Sequence, residues 1–479
     1  MSKYSLSALV AAGLLAGGMS VSSSSSAFAA DLGGNCCADL EERIAELEAT
    51  TARKGNRKVS LTISGWVSQQ VMWWDDGGES NVYITDTGSV SIGTHVKFSG
   101  QATIVPGWSA GYVLNLEAIQ NDSLLVNQGH DNGIANNAMA AVANGPGANA
   151  PVAIESSYWF VKSDQLGKVS VGKQSSAADN QAILPDGSGT LVVANYVMYD
   201  VNAFALRNKR NGGFNSGGLT NINWGSIASC YPLNGGGGVA GDCDGYPDNQ
   251  VRYDSPTYAG FSMSASWGED DSWAVSGRYA GEWHDFKVSA AVAYNENTDE
   301  NGPGGLNRPS GFEGSAIQTG AYIEHIPTGL FVYGAYSKEF VDSHTGNFYF
   351  DNKPEGNQWY LKAGIRQHWN PLGHTVLFGE YGQNNDRMTA ENFSLGMNDS
   401  RLRQFGVGLV QEIDAAAMSV WIGWRHYEGD VTCSDQDPFP GNSCTRGGIV
   451  FGPGLGLAHE GKNSLEDMDI VKAGALINF

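Results

Sequence analysis

Eight basic residues, Lys97, Arg252, Arg278, Lys287, Lys362, Arg366, Arg425 and Lys472, and two acids, Glu117 and Glu324, fall on the polar phase of alternating stretches. Around Lys97, for instance, Val96 and Phe98 alternate with His95, Lys97 and Ser99. Charges spaced in this way can attract or repel a passing ion, but they make and break no bonds. Residues for bond-making chemistry are not gathered anywhere in the chain. The nine histidines are scattered, with no H-E-x-x-H, no G-x-S-x-G and no P-loop. Gly452-Pro453-Gly454-Leu455-Gly456 lacks the following helix that a nucleotide fingerprint requires. The chain is expected not to be an enzyme and to need no cofactor.

Six cysteines suit an oxidising compartment. Cys230 and Cys243 bracket one Gly-rich segment, and Cys433 and Cys444 bracket another. As pairs, each would staple a loop of about a dozen residues, contributing roughly 2–3 kcal/mol in the chain-entropy account. Proximity selects these pairings from several that six cysteines allow. Adjacent Cys36 and Cys37 hardly suit a bridge to each other and are candidates for cross-links between protomers. No His accompanies either pair at zinc-ligand spacing, so no metal site is expected.

Composition narrows the class. Of 479 residues 64 are Gly, nearly twice the roughly 7% of an average chain. The 13 Trp, 19 Tyr and 18 Phe are too many for a disordered chain. A net charge of -22 makes nucleic acid a poor partner. Mean hydropathy is -0.25, and the one long apolar stretch lies at the N-terminus, which excludes a helical membrane protein.

The elements that would carry the charges are strands. Period-two alternation runs through Val90 to Ile104, and through Phe261-Met263-Ala265-Trp267 and Phe286-Val288-Ala290-Val292-Tyr294. It recurs in Trp359-Leu361-Ala363-Ile365, Phe405-Val407-Leu409, Met418-Val420-Ile422-Trp424 and the terminal Val471-Ala473-Ala475-Ile477-Phe479. Short turns, such as those at 106–107, 165–167 and 327–329, alternate with long Gly/Asn/Asp-rich segments at about 120–152, 175–248, 296–314, 340–356, 383–399 and 429–467. Shorter loops are expected at 74–88 and 268–272. Sixteen antiparallel strands with tight turns at one end and long loops at the other form an all-β transmembrane barrel. A propeller or sandwich would show a blade repeat and lack the alternation of loop lengths. The polar phase then faces a wet lumen, where a basic residue avoids the cost of about 2–4 kcal/mol on the lipid face.

Lys3, the apolar run Leu6 to Leu15, a serine tract and Ala27-Phe28-Ala29 read as a signal peptide over 1–29. A lipoprotein reading through Cys36 and Cys37 is disfavoured, since both lie well past the apolar run. In 30–57, Leu40, Ile44 and Leu47 place one apolar stripe on a short helix in the periplasm. It serves either as a cap on its own domain or as a parallel coiled coil that an oligomer holds together. The barrel occupies 58–479. Acids such as Glu269-Asp270-Asp271 fall in loops, as solvated charge or as sites for cations bridging lipopolysaccharide.

Over the mature chain the sequence resembles the alphaproteobacterial type of general porin. The resemblance is carried by GGNCCADLEERIAELEATTARKGNRKVSLTISGWV, by SYWFVKSDQLGKVSVGKQSSAADN, by NQVRYDSPTYAGFSMSAS and by the C-terminal Phe479. It implies an outer-membrane homotrimer of sixteen-stranded barrels for passive diffusion of small hydrophilic solutes. It also implies a constriction loop at about 174–210 with Asp179 and Asp186 as its acids, Asp186 near the tip. Phe479 would be the signal read by the outer-membrane assembly machinery. The expected filter is a transverse field, with wall Arg and Lys on one side and the loop acids opposite. A substrate-specific channel for sugars or anions is the nearest alternative, with Trp66, Trp421 and Tyr360 as candidate stacking surfaces. A surface adhesin built on the same barrel is a further one.

Overall fold

The computed structural model describes residues 59–88, 93–118, 121–129, 152–196, 200–209, 216–217, 220–221, 223–228, 242–243, 247–268, 272–297, 312–345, 348–349, 355–387, 397–433 and 461–479. The segments 1–29 and 30–57, with Cys36 and Cys37, lie outside them, as do Cys230, Cys444 and the 269–271 acids.

Alternation produces the wall. Its strands are β1 (Thr62–Asp75), β2 in two pieces (Ser80–Thr85 and His95–Val105), β3 (Trp108–Ala118), β4 (Val152–Ser163) and β5 (Gly167–Gln174). Then follow β6 (Asp248–Asp254), β7 (Phe261–Gly268), β8 (Trp273–Trp283), β9 (Phe286–Asn297) and β10 (Phe312–His325). The circuit is completed by β11 (Leu330–Thr345), β12 (Asn357–Asn370), β13 (Gly373–Asn385), β14 (Met397–Ile413), β15 (Met418–Cys433) and β16 (Met468–Asn478). Every neighbour pair is antiparallel, and β16 returns to β1 in register from Trp66↔Asn478 to Asp75↔Asp469. The sixteen-stranded barrel is closed, so the wall has no free edge along this seam.

Period two decides which side chains meet lipid. In β6, Gln250, Arg252 and Asp254 are buried while Val251 and Tyr253 stay exposed. The same phase turns Val292, Ile323, Val332, Leu361 and Val407 outward. Tight turns close the hairpins at the end that holds both wall termini, helped by positive φ at Gly107 (81°) and Gly329 (66°).

Two expectations change. The 74–88 segment is not one loop, because Ser80–Thr85 pairs with β1 from Gln70↔Thr85 to Asp75↔Ser80. Its single Val-Tyr-Ile run is too short to stand out from the sequence, and β1 supplies the partner. Nor is the inward face uniformly polar. Met72, Trp74, Leu402, Tyr427, Met468 and Ile470 point inward and pack against Val201, Phe204, Leu206 and Trp224. The physical reason is that chain returning into the barrel covers this part of the wall and replaces water there.

Val292 lies mid-strand on the outer face. Val292→Arg should lower stability by about 2–4 kcal/mol in guanidinium unfolding from lipid vesicles, the cost of a basic charge at lipid mid-depth.

Candidate functional site

The site begins where β5 ends at Gln174. Residues 175–196 and 200–209 turn into the barrel, and Ala177, Ala178, Ala182, Ala194 and Val201 are almost wholly buried. Local bonds shape the turns. The Ser176 hydroxyl accepts from the amides of Ala178 (3.0 Å) and Asp179 (3.2 Å), and Asp186 Oδ1 accepts from the Ser188 amide (3.1 Å). Small side chains let backbone meet wall. Gly320 of β10 faces the Ala182 carbonyl so closely that any Cβ would overlap it.

Polar wall residues hold the segment across the lumen. Gln318 donates to Ala178 O (2.8 Å) and accepts from Ala182 N (3.0 Å). Tyr333 donates to Ala182 O (2.5 Å), and Gln358 donates to Tyr196 O (2.7 Å). Ion pairs add to this. Lys362 Nζ meets Asp186 Oδ2 at 2.5 Å, Thr190 Oγ1 at 2.6 Å and Ala194 O at 2.9 Å, with its side chain fully buried. Lys472 Nζ lies 2.6 Å from Asp200 Oδ2, and Arg425 lies 3.8 Å from the same oxygen. Further along, Arg207 pairs with Asp76 and Glu79, both at 2.9 Å.

The expected residues therefore divide into groups. Asp186 does not stand across open water from Lys362; the two are bonded, so this part of the transverse field is spent in holding the loop. Asp179 is also buried and accepts from Asn180 Nδ2 at 2.8 Å. Burial raises its pKa, opposed by hydrogen bonding to Asp242 and Ser175 and by Arg252 and Arg278. Arg425 is tied to Glu380 (2.7 and 2.9 Å), which also takes the Tyr360 hydroxyl. Arg366 pairs with Glu412 at 2.8 Å, beside His374. Arg252 forks onto Asp254 and donates to Ser175 O and Ser176 O, holding the start of the loop.

Other positions are less committed. Among the described residues Lys97 and Lys162 make no ion pair within 4 Å, and the hydrogen bond of Arg278 goes to Gln181 Oε1 at 2.6 Å. Lys287 stands between Glu282 and Glu324 on neighbouring strands, and Glu324 accepts from Tyr322 at 2.9 Å. Glu117 is buried opposite His95. Phe479 exchanges backbone bonds with Gly65 at 3.0 and 3.1 Å and leaves its ring exposed. Cys243 is buried and disulfide-bonded, with Arg387 donating to its sulfur at 3.1 Å; the side chain of Cys433 lies outside the described residues. Trp66, Tyr360 and Trp421 are 2%, 2% and 5% exposed, and Tyr360 packs edge-on to Tyr196 and Tyr333. They form packing under the loop and offer no open stacking face.

Glu155 was not legible from spacing. The register of β3 against β4 steps from Asn115↔Ser156 to Leu116↔Ile154, so Glu155 is an extra residue, hydrogen-bonded by Asn115. Asp254, by contrast, follows Arg252 by two residues, and its inward phase could have been read.

A closed sixteen-stranded barrel with an inward-folded segment and a polar, charged wall defines an outer-membrane channel for small solutes. The family model for Gram-negative porins matches residues 8–412, and the chain belongs to that family. No curated protein matches the chain by sequence. Among solved structures it is similar to an anion-selective porin from Comamonas acidovorans, with 14% identity, TM-score 0.50 and coverage of 88% of this chain and 100% of that one. It is also similar to the outer-membrane channel DcaP of Acinetobacter baumannii (10%, 0.46, 89% and 99%) and to Salmonella typhi OmpF in complex with daunomycin (11%, 0.45, 89% and 99%).

Lys362→Met would strand the Asp186 carboxylate in a dry site, at a cost of about 3–5 kcal/mol. The expected result is a barrel that still folds but whose loop becomes open to limited proteolysis near Asp186, read by mass spectrometry.

Proposed function

We propose that this porin is a general diffusion pore of the alphaproteobacterial type, a homotrimer that passes small hydrophilic solutes and favours anions over cations. The observation that carries the sign is an asymmetry in pairing. Asp179, Asp186 and Asp200, the acids of the described loop residues, are buried and bonded. Lys97, Lys162 and Arg278 on the β2–β8 side have no ion pair within 4 Å among the described residues and are only half-buried. Unpaired cations beside the water path attract anions, while paired acids have little field left to attract cations. The Comamonas barrel is named anion-selective; at 14% identity it shares the fold, and the sign proposed for this chain rests on its own charges.

The rest of the chain fits the same reading. Segment 1–29 is a signal for export, 30–57 stays periplasmic, and residues 58–479 form the wall and its loop. Phe479 is the contact for the assembly machinery, and loop acids meet lipopolysaccharide through cations.

The test is a reversal potential across planar bilayers under a KCl gradient. A chloride preference is expected, moving toward neutrality in a Lys97→Gln, Lys162→Gln, Arg278→Gln triple variant. A potassium preference in the unsubstituted channel, or a reversal potential unmoved by the three substitutions, would rule out the assignment.

A further inference from the structure

Two acids are buried beside β1 and the first piece of β2. Asp86 is 1% exposed and Asp122 is 2% exposed. Bonds on either side of Asp122 bring them together. The Asp86 amide donates to Asn121 O at 3.1 Å, and the Ser123 amide donates to Asp86 Oδ1 at 3.3 Å. Asp122 lies close enough to repel the Asp86 carboxylate, and Asp86 makes no ion pair among the described residues. A carboxylate withdrawn from water without a counter-charge is costly, and a second one beside it adds to the cost.

The surroundings of Asp86 are also short of donors. Its Oδ1 accepts from the amides of Gly88 (2.9 Å) and Ser123, whereas its Oδ2 is buried and bonds nothing. Gln70 Nε2 donates to Asp86 O at 3.0 Å and to Thr85 Oγ1 at 3.3 Å. Those bonds fix the amide, because turning it over would set its oxygen against the Asp86 carbonyl. Gln70 Oε1, on the same carbon, is buried and has no partner, and Ser123 Oγ is in the same state. Three oxygens are therefore left over, one each from β1, the turn after Thr85 and the segment 121–129. Ser123 Oγ bonds neither of the other two, so no chain of hydrogen bonds through a proton on Asp86 joins them.

We infer that Asp86, Asp122, Ser123 Oγ and Gln70 Oε1 form a binding site for a calcium ion inside the barrel. The donors are all oxygens, which suits a hard cation. Calcium accepts an irregular set that includes neutral oxygens, whereas magnesium demands near-octahedral geometry and keeps several waters, for which a buried site has little room. Among the described residues no group of three or more acids, His or Cys gathers to hold a metal. Two carboxylates therefore carry the charge, and the affinity belongs with that of extracellular calcium modules, a Kd of about 10⁻⁴–10⁻³ M. The bound ion ties the turn after Thr85 to the segment 121–129. That segment already accepts the Tyr83 hydroxyl at Asn127 O (3.0 Å), and Gln128 exchanges two bonds of 3.0 Å with the Ala205 backbone. The ion thus braces one flank of the returning loop, whatever the ion preference of the pore.

The experiment is equilibrium dialysis of radioactive CaCl2 against the full chain, purified in detergent and stripped with a chelator. At saturation Asp86→Asn is expected to hold one calcium fewer per chain than the unsubstituted protein. Asp164→Asn, at an exposed turn, is the control and is expected to keep the full count. Calcium is also expected to raise the temperature at which the folded band is lost on gels for the unsubstituted protein and the control, but not for Asp86→Asn. An equal calcium count in Asp86→Asn, an equal loss in the control, or the same rise with MgCl2 overturns the site. Should Asp86→Asn not fold, Ser123→Ala decides the matter, since it keeps both acids and removes one ligand. Weaker calcium binding is expected from it, and unchanged binding overturns the site.

Discussion

Lipid offers no hydrogen bonds, so every backbone N–H and C=O in the wall must find a partner in protein. The fold meets that demand by closing. Gly65 and Phe479 exchange both of their backbone bonds, and the ladder above them runs unbroken to Asp75 and Asp469. Loss of this seam would open two edges in hydrocarbon. The alternation of side chains, the inward phase of the charges and the exposure of Phe479 at the rim all follow from it.

Within the closed wall, the main event is the return of residues 175–196 and 200–209 into the lumen. The segment is held as part of the structure and not as a tethered flap. Lys362, Lys472 and Arg425 reach from three wall strands to two of its acids, and Tyr333, Gln318 and Gln358 bind its backbone. Buried pairs of this kind contribute little over an apolar substitute, but breaking one is costly. They therefore fix one position for the loop. On the β2–β8 side, Lys97, Lys162 and Arg278 are left without an ion pair among the described residues.

Much of this was legible in the sequence because a strand has a period of two. Once the phase of Val96 and Phe98 is set, the inward direction of Lys97 follows, and Arg252, Lys362 and Lys472 obey the same rule. Legibility failed where that period was broken or where partners came from afar. Glu155 occupies a bulge that shifts the phase by one. Ser80–Thr85 resembles a loop until β1 pairs with it. Met72 and Trp74 are apolar on an inward face, which made sense only once Phe204 and Trp224 were seen to cover them.

The sequence by itself determined the barrel, the number of its strands, the ends that carry turns and loops, and the inward direction of most wall charges. These depend on local periodicity and on the lengths of connections, which are properties of neighbouring residues. Only the tertiary structure decided which charges are spent and which remain. Lys362 and Lys97 read alike in the sequence, each a Lys flanked by apolar residues. One is locked to Asp186, 176 residues away, and the other has no ion pair among the described residues. The difference lies in where a distant loop comes to rest, and no local pattern encodes that.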